Sequence, residues 1–346
     1  MEEFFHQLTN GLAVGGIYAL IALGYTMVYG VLRLINFAHG DLFTLGSYLG
    51  LTLLFSLGLQ GKMSGILVGG ALIVMSMGLV AVVGYLLERV AYRPLRGSNR
   101  LAAVVSALGA SIFFSNAIML VYGARSQVYP NGILPSVAVS LLGVDIPLMR
   151  IVMFVGTVVL MLLLYWFINH TRIGTAIRAV AIDQDTAKLM GINVDNIISM
   201  IFLIGPALGG AAGVMMGLYY GQITYDMGFS FGLKAFTAAI MGGIGNIPGA
   251  MVGGILLGVL EAMGAAYVSI AWKDAIAFLV LILILIFRPT GLLGERVAEK
   301  ICATLFFQNG ISTPWRAASS ASSWPACPRS SNWRGSAGAA SPSSTC

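Results

Sequence analysis

Charged residues within long apolar stretches are the first candidates for chemistry in this sequence. They are Asp41, Lys234, Glu261 and Asp274. An ionisable side chain inside a membrane helix usually belongs to an ion pathway or a proton relay. Each of the four lies within a few residues of the end of its stretch, where long side chains can reach water, so an interfacial or packing role is favoured. Asn116 is the most central polar residue, and an interhelical hydrogen bond explains it as well as a substrate contact does.

Motifs for nucleotide hydrolysis or covalent catalysis are missing from the sequence. A P-loop needs the spacing GxxxxGK[ST], and the nearest string, GLQGKMS at 58–64, has the wrong spacing. No HExxH string, nucleophile elbow or paired His/Asp cluster occurs. The three cysteines all follow residue 300. We therefore expect no enzyme activity, no metal site and no cofactor on this chain. If ATP drives the protein, another chain must bind it.

The polar segment 170–196 lies between two apolar stretches and interleaves basic with acidic residues. In it, Asp185-Thr186-Ala187 is followed by three residues and then Gly191. This pattern predicts a short helix with a small contact face at Ala187, ended by Gly191 in the left-handed conformation. A D-x-A-x3-G string is common, so by itself it indicates only a solvated loop.

A second spacing concerns glycine. Four glycines recur every fourth residue and therefore share one face of a helix: Gly205, Gly209, Gly213 and Gly217. Glycine lets two helix backbones approach closely in a membrane. Packing inside one subunit is favoured for this face, and a subunit interface or a pore wall is the alternative.

The composition determines the class of protein that must position these residues. Of 346 residues, 58% are hydrophobic and 9% are charged, against about 45–50% and about 25% in soluble domains. The mean hydropathy is +0.89. The apolar runs are continuous rather than alternating, which argues against a β-barrel. We expect an all-α integral membrane protein, a polytopic bundle of about 8–10 transmembrane helices.

Apolar stretches and basic clusters together predict the topology. The stretches lie near 9–32, 38–58, 64–88, 101–121, 148–168, 197–220, 230–246, 249–268 and 273–288. Basic residues cluster at 88–100, 170–196 and 288–300. Short basic loops stay in the cytoplasm, and an even number of stretches separates consecutive clusters. All three clusters can therefore lie on the cytoplasmic side, with the N-terminus outside.

Two glycine-containing breaks are expected in the bundle, in NFAHGDLFTLGSYLG (36–50) and MGGIGNIPGAMVGGILLG (241–258). Paired broken segments are typical of transporters built from repeats. We place the breaks at Asn36–Asp41 and Gly242–Gly249 and expect them to line or gate a path. The candidate path residues are Asn36, His39, Asp41, Asn116, Gly242, Gly243, Gly245 and Asn246.

The last part of the chain differs from the rest. From Cys302 onward there is no acidic residue and no lysine, while Ser, Ala, Pro, Arg and Trp dominate. We expect a transmembrane domain over 1–300. For 301–346 we expect a disordered or non-native tail, with out-of-frame or vector-derived translation favoured over a native cytoplasmic tail.

Five blocks resemble the branched-chain amino-acid ABC transporter permease family, LivH-type. They keep their order and cover most of residues 9–300, and together they are far more specific than any one alone. The blocks are GGIYALIALGYTMVYGVLRLINFAHGDLFTLGSY (15–48), ERVAYRPLR (88–96), RAVAIDQDTAKLMGIN (178–193), KAFTAAIMGGIGNIPGAMVGGILLG (234–258) and RPTGLLG (288–294).

The resemblance implies a permease subunit, in a bacterial inner membrane, of an importer for leucine, isoleucine or valine. Its partners would be a second homologous permease subunit, two cytoplasmic ATPases that bind ATP and Mg²⁺, and a periplasmic substrate-binding protein, with no nucleic acid. The D-x-A-x3-G spacing is that of the EAA-type loop that docks on the ATPase. This assigns coupling contacts to Arg178, Asp183, Asp185, Ala187 and Gly191.

Two alternatives stay open. A permease of the same family could carry an amide, urea or another amino acid. An ion-coupled carrier or channel would need a buried charge relay and no coupling loop.

Overall fold

A computed structural model describes residues 2–58, 65–96, 100–130, 138–141 and 144–294. Within these residues there are eleven α-helices: α1 (Glu2–Leu32), α2 (Ala38–Ser56), α3 (Gly65–Leu87), α4 (Arg100–Tyr122), α5 (Leu148–His170), α6 (Arg172–Ile182), α7 (Gln184–Leu189), α8 (Val194–Tyr220), α9 (Met227–Gly242), α10 (Ile247–Tyr267) and α11 (Lys273–Phe287). The predicted tail at 301–346 and its boundary lie outside the described residues.

Nine of these helices, α1–α5 and α8–α11, coincide with the nine predicted apolar stretches. Among the described residues, seven helices are long and apolar enough to cross a membrane. The other two are α9, which has 16 residues, and α2, which carries several polar side chains in its 19 residues. The chain is therefore an all-α polytopic membrane protein, and the polar helices α6 and α7 occupy the segment 170–196.

Helix α1 is the central element of the bundle, and its apolar stretch is almost wholly buried. Its closest approach is to α10, where both helices present glycine. A Cβ atom added to Gly15 would lie 2.8 Å from the carbonyl oxygen of Ile255. Backbones can approach to this distance only because a side chain is missing. Helices α3, α4 and α11 instead expose large apolar side chains outward, such as Val74, Leu120 and Phe287.

In the described part of the chain, four short strands form two antiparallel pairs. Strand β1 (Gln127–Val128) pairs with β4 (Gln222–Ile223), so that Gln127 lies opposite Ile223. Strand β2 (Ala138–Leu141) pairs with β3 (Val144–Pro147). Strand β4 follows the end of α8 and strand β3 leads into the start of α5, so both pairs lie at the end of the bundle away from the segment 170–196.

The two breaks are present but shorter than the sequence predicts. The first comprises residues 33–37, so His39 and Asp41 already belong to the first turn of α2. The second comprises residues 243–246 and holds Gly243 and Gly245 in left-handed conformations, with φ of 108° and 95°. Asn246 then caps α10 by accepting a hydrogen bond from the amide of Gly249 at 3.4 Å, which starts that helix earlier than the sequence suggests.

Candidate coupling and translocation site

Helix α7 is a short helix fixed at both ends. Asp183 accepts hydrogen bonds from the backbone amides of Asp185 at 2.9 Å and Thr186 at 3.2 Å, which is an N-cap. At the other end the amide of Ile192 donates to the carbonyl of Ala187, and Gly191 has φ of 83°. These features form a Schellman motif. Gly191 thus adopts the left-handed conformation that the sequence predicts.

The exposed face of α7 is not the one predicted from the sequence. Ala187 is buried within the chain and offers no contact face to a partner. Its methyl group packs in the hydrophobic core of the chain. The exposed apolar side chains are Ile182, Leu189 and Met190, which are 84%, 88% and 79% accessible. The sequence gives no helical periodicity that would identify them, since Ile182 is separated from the adjacent pair Leu189 and Met190 by six mostly polar residues.

The remaining predicted coupling residues lie on the surface of the same segment. Arg178 on α6 donates to the side-chain oxygen of Asn169 at 3.4 Å. Asp185 accepts from Lys188, one turn later in its own helix, at 3.1 Å. Both polar side chains are exposed. The structure therefore brings Arg178, Asp183 and Asp185 onto one exposed segment beside the apolar side chains.

This segment is attached directly to the end of α1, which the sequence did not predict. The side-chain amide of Gln184 donates to the carbonyl oxygen of Val31 at 2.7 Å. The guanidinium of Arg33 donates to the carbonyl oxygen of Ala181 at 3.4 Å. The residues in each pair are about 150 positions apart, so only the folded chain reveals them. The segment and the first break therefore lie at the same end of the bundle.

The polar residues of the first break are buried against helices from other parts of the chain. The Tyr92 hydroxyl donates to the Asn36 side-chain oxygen at 2.6 Å, and the Ser111 hydroxyl donates to the Asp41 carboxylate. His39 is fully buried and its ring lies edge-on to Tyr25, with centroids 4.8 Å apart.

The second break binds the closing motif RPTGLLG. The amide of Leu292 donates to the carbonyl of Met241 at 2.9 Å. The side chain of Asn246 donates to the carbonyl of Leu293 at 2.6 Å. A Cβ atom added to Gly30, in the last turn of α1, would lie 3.9 Å from the Cα of Gly245. The two breaks are therefore neighbours, and the structure brings Asn36, His39 and Asp41 to the same end of the bundle as Gly242, Gly243, Gly245 and Asn246.

Asn116 lies apart from the other candidate path residues. Its side chain is on the exposed face of α4 and donates to the carbonyl of Ile112 in its own helix at 2.7 Å. The side-chain amide of Asn116 is therefore bonded within its own helix, whereas the sequence suggested a hydrogen bond between helices or a contact with substrate.

The four glycines at every fourth position of α8 contact elements of the same chain. A Cβ atom at Gly205 would lie 3.5 Å from the backbone of Gly24 in α1, and one at Gly209 would lie 3.6 Å from the ring of His39. At Gly213 it would lie 2.8 Å from the backbone nitrogen of Ser47 in α2, and at Gly217 it would meet the ring of Tyr129. This face is therefore filled by α1, α2 and the Tyr129 loop.

Charged residues form a network at the opposite end of the bundle. Lys234 lies 2.9 Å from the Glu261 carboxylate and 2.6 Å from Asp274, and Lys273 lies 3.0 Å from Glu261. Lys234 and Glu261 are buried, whereas the sequence suggested that their proximity to helix ends would let them reach water. Their helices pack together there, so each charge is paired within the protein. No group of three or more His, Cys, Asp or Glu residues in the described part of the chain could hold a metal ion.

These features define a class of protein. A glycine-packed bundle of apolar helices, with two adjacent breaks and an exposed capped helix at the basic end, is the architecture of a membrane transport permease.

Comparison with known proteins gives the family. The chain belongs to the family described as "Branched-chain amino acid transport system / permease component", which matches residues 7–285. It is 48% identical over 308 residues to the high-affinity branched-chain amino acid transport system permease protein BraD of Pseudomonas aeruginosa, covering 87% of this chain and 100% of the relative. It is 44% identical over 301 residues to LivH, of the same description, from Escherichia coli K12, covering 86% and 98%. Both relatives are transport permeases.

Proposed function

We propose that the chain is a permease subunit of an ABC importer that carries branched-chain amino acids across a bacterial inner membrane. It would perform no covalent chemistry and bind no cofactor, because ATP and Mg²⁺ would be held by separate ATPase subunits. A second homologous permease subunit, two cytoplasmic ATPases and a periplasmic substrate-binding protein would complete the complex. The family membership and the printed descriptions of BraD and LivH support this assignment.

The proposed ATPase contact rests on one observation, the exposed apolar surface of residues 170–196, the coupling segment. Ile182, Leu189 and Met190 lie on a segment whose other exposed side chains are mostly polar. Water-exposed apolar side chains on a rigid element are typical of a protein contact. The segment also lies at the basic end of the bundle, where the positive-inside rule places the cytoplasm.

The translocation path would be controlled where the two breaks meet. Asn36 lies in the first break and His39 and Asp41 directly follow it, while Gly243 and Asn246 belong to the second. Helix breaks leave backbone N–H and C=O groups without intrahelical partners, so their hydrogen bonds can change without unwinding a whole helix. Transport would follow alternating access, with closure of the ATPases shifting the population of the two breaks between conformations.

The first experiment is purification of the complex in mild detergent, followed by identification of the co-purified chains. A second permease and two ATPases should be recovered, and the reconstituted complex should import leucine, isoleucine or valine only with ATP. Uptake that persists without ATP in a proton gradient would contradict the importer assignment. Uptake of an amide, urea or another amino acid instead would contradict only the proposed cargo.

The contact surface has its own variant. Replacing both Leu189 and Met190 with Asp should remove the ATPases from the purified complex, because charge cannot be desolvated in an apolar contact. Val128→Asp is the matched control, since Val128 is also an exposed apolar residue, 62% accessible, but lies at the other end of the bundle. ATPases that stay bound to the Leu189/Met190 variant would refute this surface.

A further inference from the structure

The last turn of α1 is hydrogen-bonded by another part of the chain. Because α1 stops at Leu32, the carbonyls of its last turn have no intrahelical partner. The amide of Arg33 bonds to the carbonyl of Tyr29 at 2.8 Å. The carbonyl of Val31 is bonded by Gln184, the first residue of α7. The coupling segment thus satisfies a backbone group of the central helix.

Arg33 makes the reciprocal connection in an unusual backbone conformation. Its φ is 54°, and it is the one residue other than glycine with a left-handed backbone in the part of the chain that the structure describes. Such a conformation costs about 1 kcal/mol or more for a residue with a Cβ atom. Its guanidinium reaches the carbonyl of Ala181, two residues before the N-cap of α7. Two hydrogen bonds in opposite directions therefore join 181–184 to 31–33.

The last turn of α1 also lies against the second break, through the approach of Gly30 to Gly245. A movement of α7 that pulls on Val31 and Arg33 therefore reaches the first break directly. The second break lies next to the same turn, since a Cβ atom added at Gly30 would lie 3.9 Å from the Cα of Gly245. The apolar stretch of α1 is held in the buried centre of the bundle. Its terminal turn is therefore the part next to the breaks that can move.

We propose that Gln184 and Arg33 are positioning residues that transmit displacement of the coupling segment to the two helix breaks. This inference rests on the proposed function, because it assumes that the coupling segment is moved by an ATPase. Gln184 and Arg33 make these contacts within the chain, with the backbone of α1 and of the segment itself. Loss of either hydrogen bond should therefore leave ATPase binding and ATP hydrolysis intact while lowering the amount of substrate moved for each ATP.

The test uses the complete complex in liposomes, with leucine uptake and ATP hydrolysis measured in the same sample. Gln184→Met keeps the length of the side chain and removes its N–H donor, so uptake per ATP should fall about fivefold, the equivalent of one net hydrogen bond. Gln184→Lys keeps an N–H donor and should stay within about twofold of wild type. Thr175→Val is the matched control, because the Thr175 hydroxyl donates to the carbonyl of Thr171 in the same segment rather than to α1.

Arg33→Leu removes the second bond and tests the same junction if Gln184→Met does not fold. Its uptake per ATP should also fall about fivefold with the ATPases still bound. Wild-type uptake per ATP in these variants, or loss of bound ATPase from them, would overturn the inference. A wild-type complex that binds no ATPase would instead refute the proposed function.

Discussion

The Lys234 ammonium nitrogen lies 2.9 Å from the Glu261 carboxylate, with both residues buried between α9 and α10. Asp274 and Lys273, at the start of α11, extend the pair to four charges with no net charge. A buried pair gives little net stabilisation relative to an apolar pair, but removing one partner leaves an uncompensated charge. The packing of α9, α10 and α11 at this end of the bundle is therefore sensitive to a single substitution in the network.

Lys234→Met should destabilise the protein by about 3 kcal/mol, because the buried Glu261 loses one of its two paired cations and the other, Lys273, is partly exposed. The double variant Lys234→Met/Glu261→Leu should recover most of that loss. Unfolding titrations in detergent measure both. Lys188→Met is the control, since its pair with Asp185 is exposed and should contribute little. Equal losses in the single and double variants would show that packing, rather than charge pairing, determines the effect.

Gly213→Ala should destabilise the bundle by about 1–3 kcal/mol. An added methyl group would lie 2.8 Å from the backbone nitrogen of Ser47 and closer still to the carbonyl of Phe43, and neither backbone can move without shifting α2. Gly109→Ala is the matched control in α4, because in the described part of the chain no atom outside its own helix backbone lies within 4 Å of a Cβ added there. It should be neutral or stabilise the helix by up to about 1 kcal/mol. Comparable unfolding midpoints for the two variants would argue against α2–α8 contact at Gly213.

Gly191→Val should impair ATPase association or uncouple transport while membrane insertion stays normal. Among the described residues, no atom beyond its chain neighbours lies within 4 Å of a Cβ added at Gly191, so the effect is expected from its φ of 83°, which a β-branched residue adopts poorly. Unwinding of the Schellman motif would displace Leu189 and Met190. Gly191→Asn is the control, because Asn tolerates the left-handed region. Co-purification and uptake assays separate the two outcomes, and normal uptake by the Val variant with bound ATPases would remove Gly191 from the coupling assignment.

Tyr129→Phe should lower stability by about 1 kcal/mol near neutral pH, because the Tyr129 hydroxyl donates to the carbonyl of Ser47 at 2.5 Å. Burial raises the pKa of Tyr129, with a smaller contribution from Tyr122. The unfolded chain therefore loses this proton at a lower pH than the folded chain does. Below pH of about 10, ionisation of Tyr129 should not change the free energy of unfolding of the wild type, and above it that free energy should fall. The fall should be steeper than in Tyr129→Phe. Parallel alkaline profiles for the two proteins would contradict the assignment.

Much of the architecture follows from local sequence signals. Continuous apolar runs predicted nine helices at the positions where the structure has them, since helix length and hydropathy are local properties. The breaks were predicted from Gly and Asn near 36 and 245, but their bounds were shifted by several residues. Caps decide such bounds, and the cap at Asn246 depends on the geometry of one side chain relative to the next turn.

The candidate site divides in the same way. Gly191 was identifiable because its conformational role is a property of the residue itself. The inward direction of Ala187 and the outward directions of Leu189 and Met190 were not, because burial in a short helix depends on what packs against it.

By itself, the sequence determined an all-α polytopic membrane protein without a nucleotide-binding motif, with two broken segments and a short helix at the basic end. Only the tertiary structure decided that Gln184 bonds to Val31, that Gly30 lies beside Gly245, and that Lys234 is neutralised by Glu261. Each of these contacts joins residues separated by 27 to more than 200 positions. Composition and periodicity report on neighbours along the chain, whereas such contacts arise from the packing of helices whose order in space the sequence does not state.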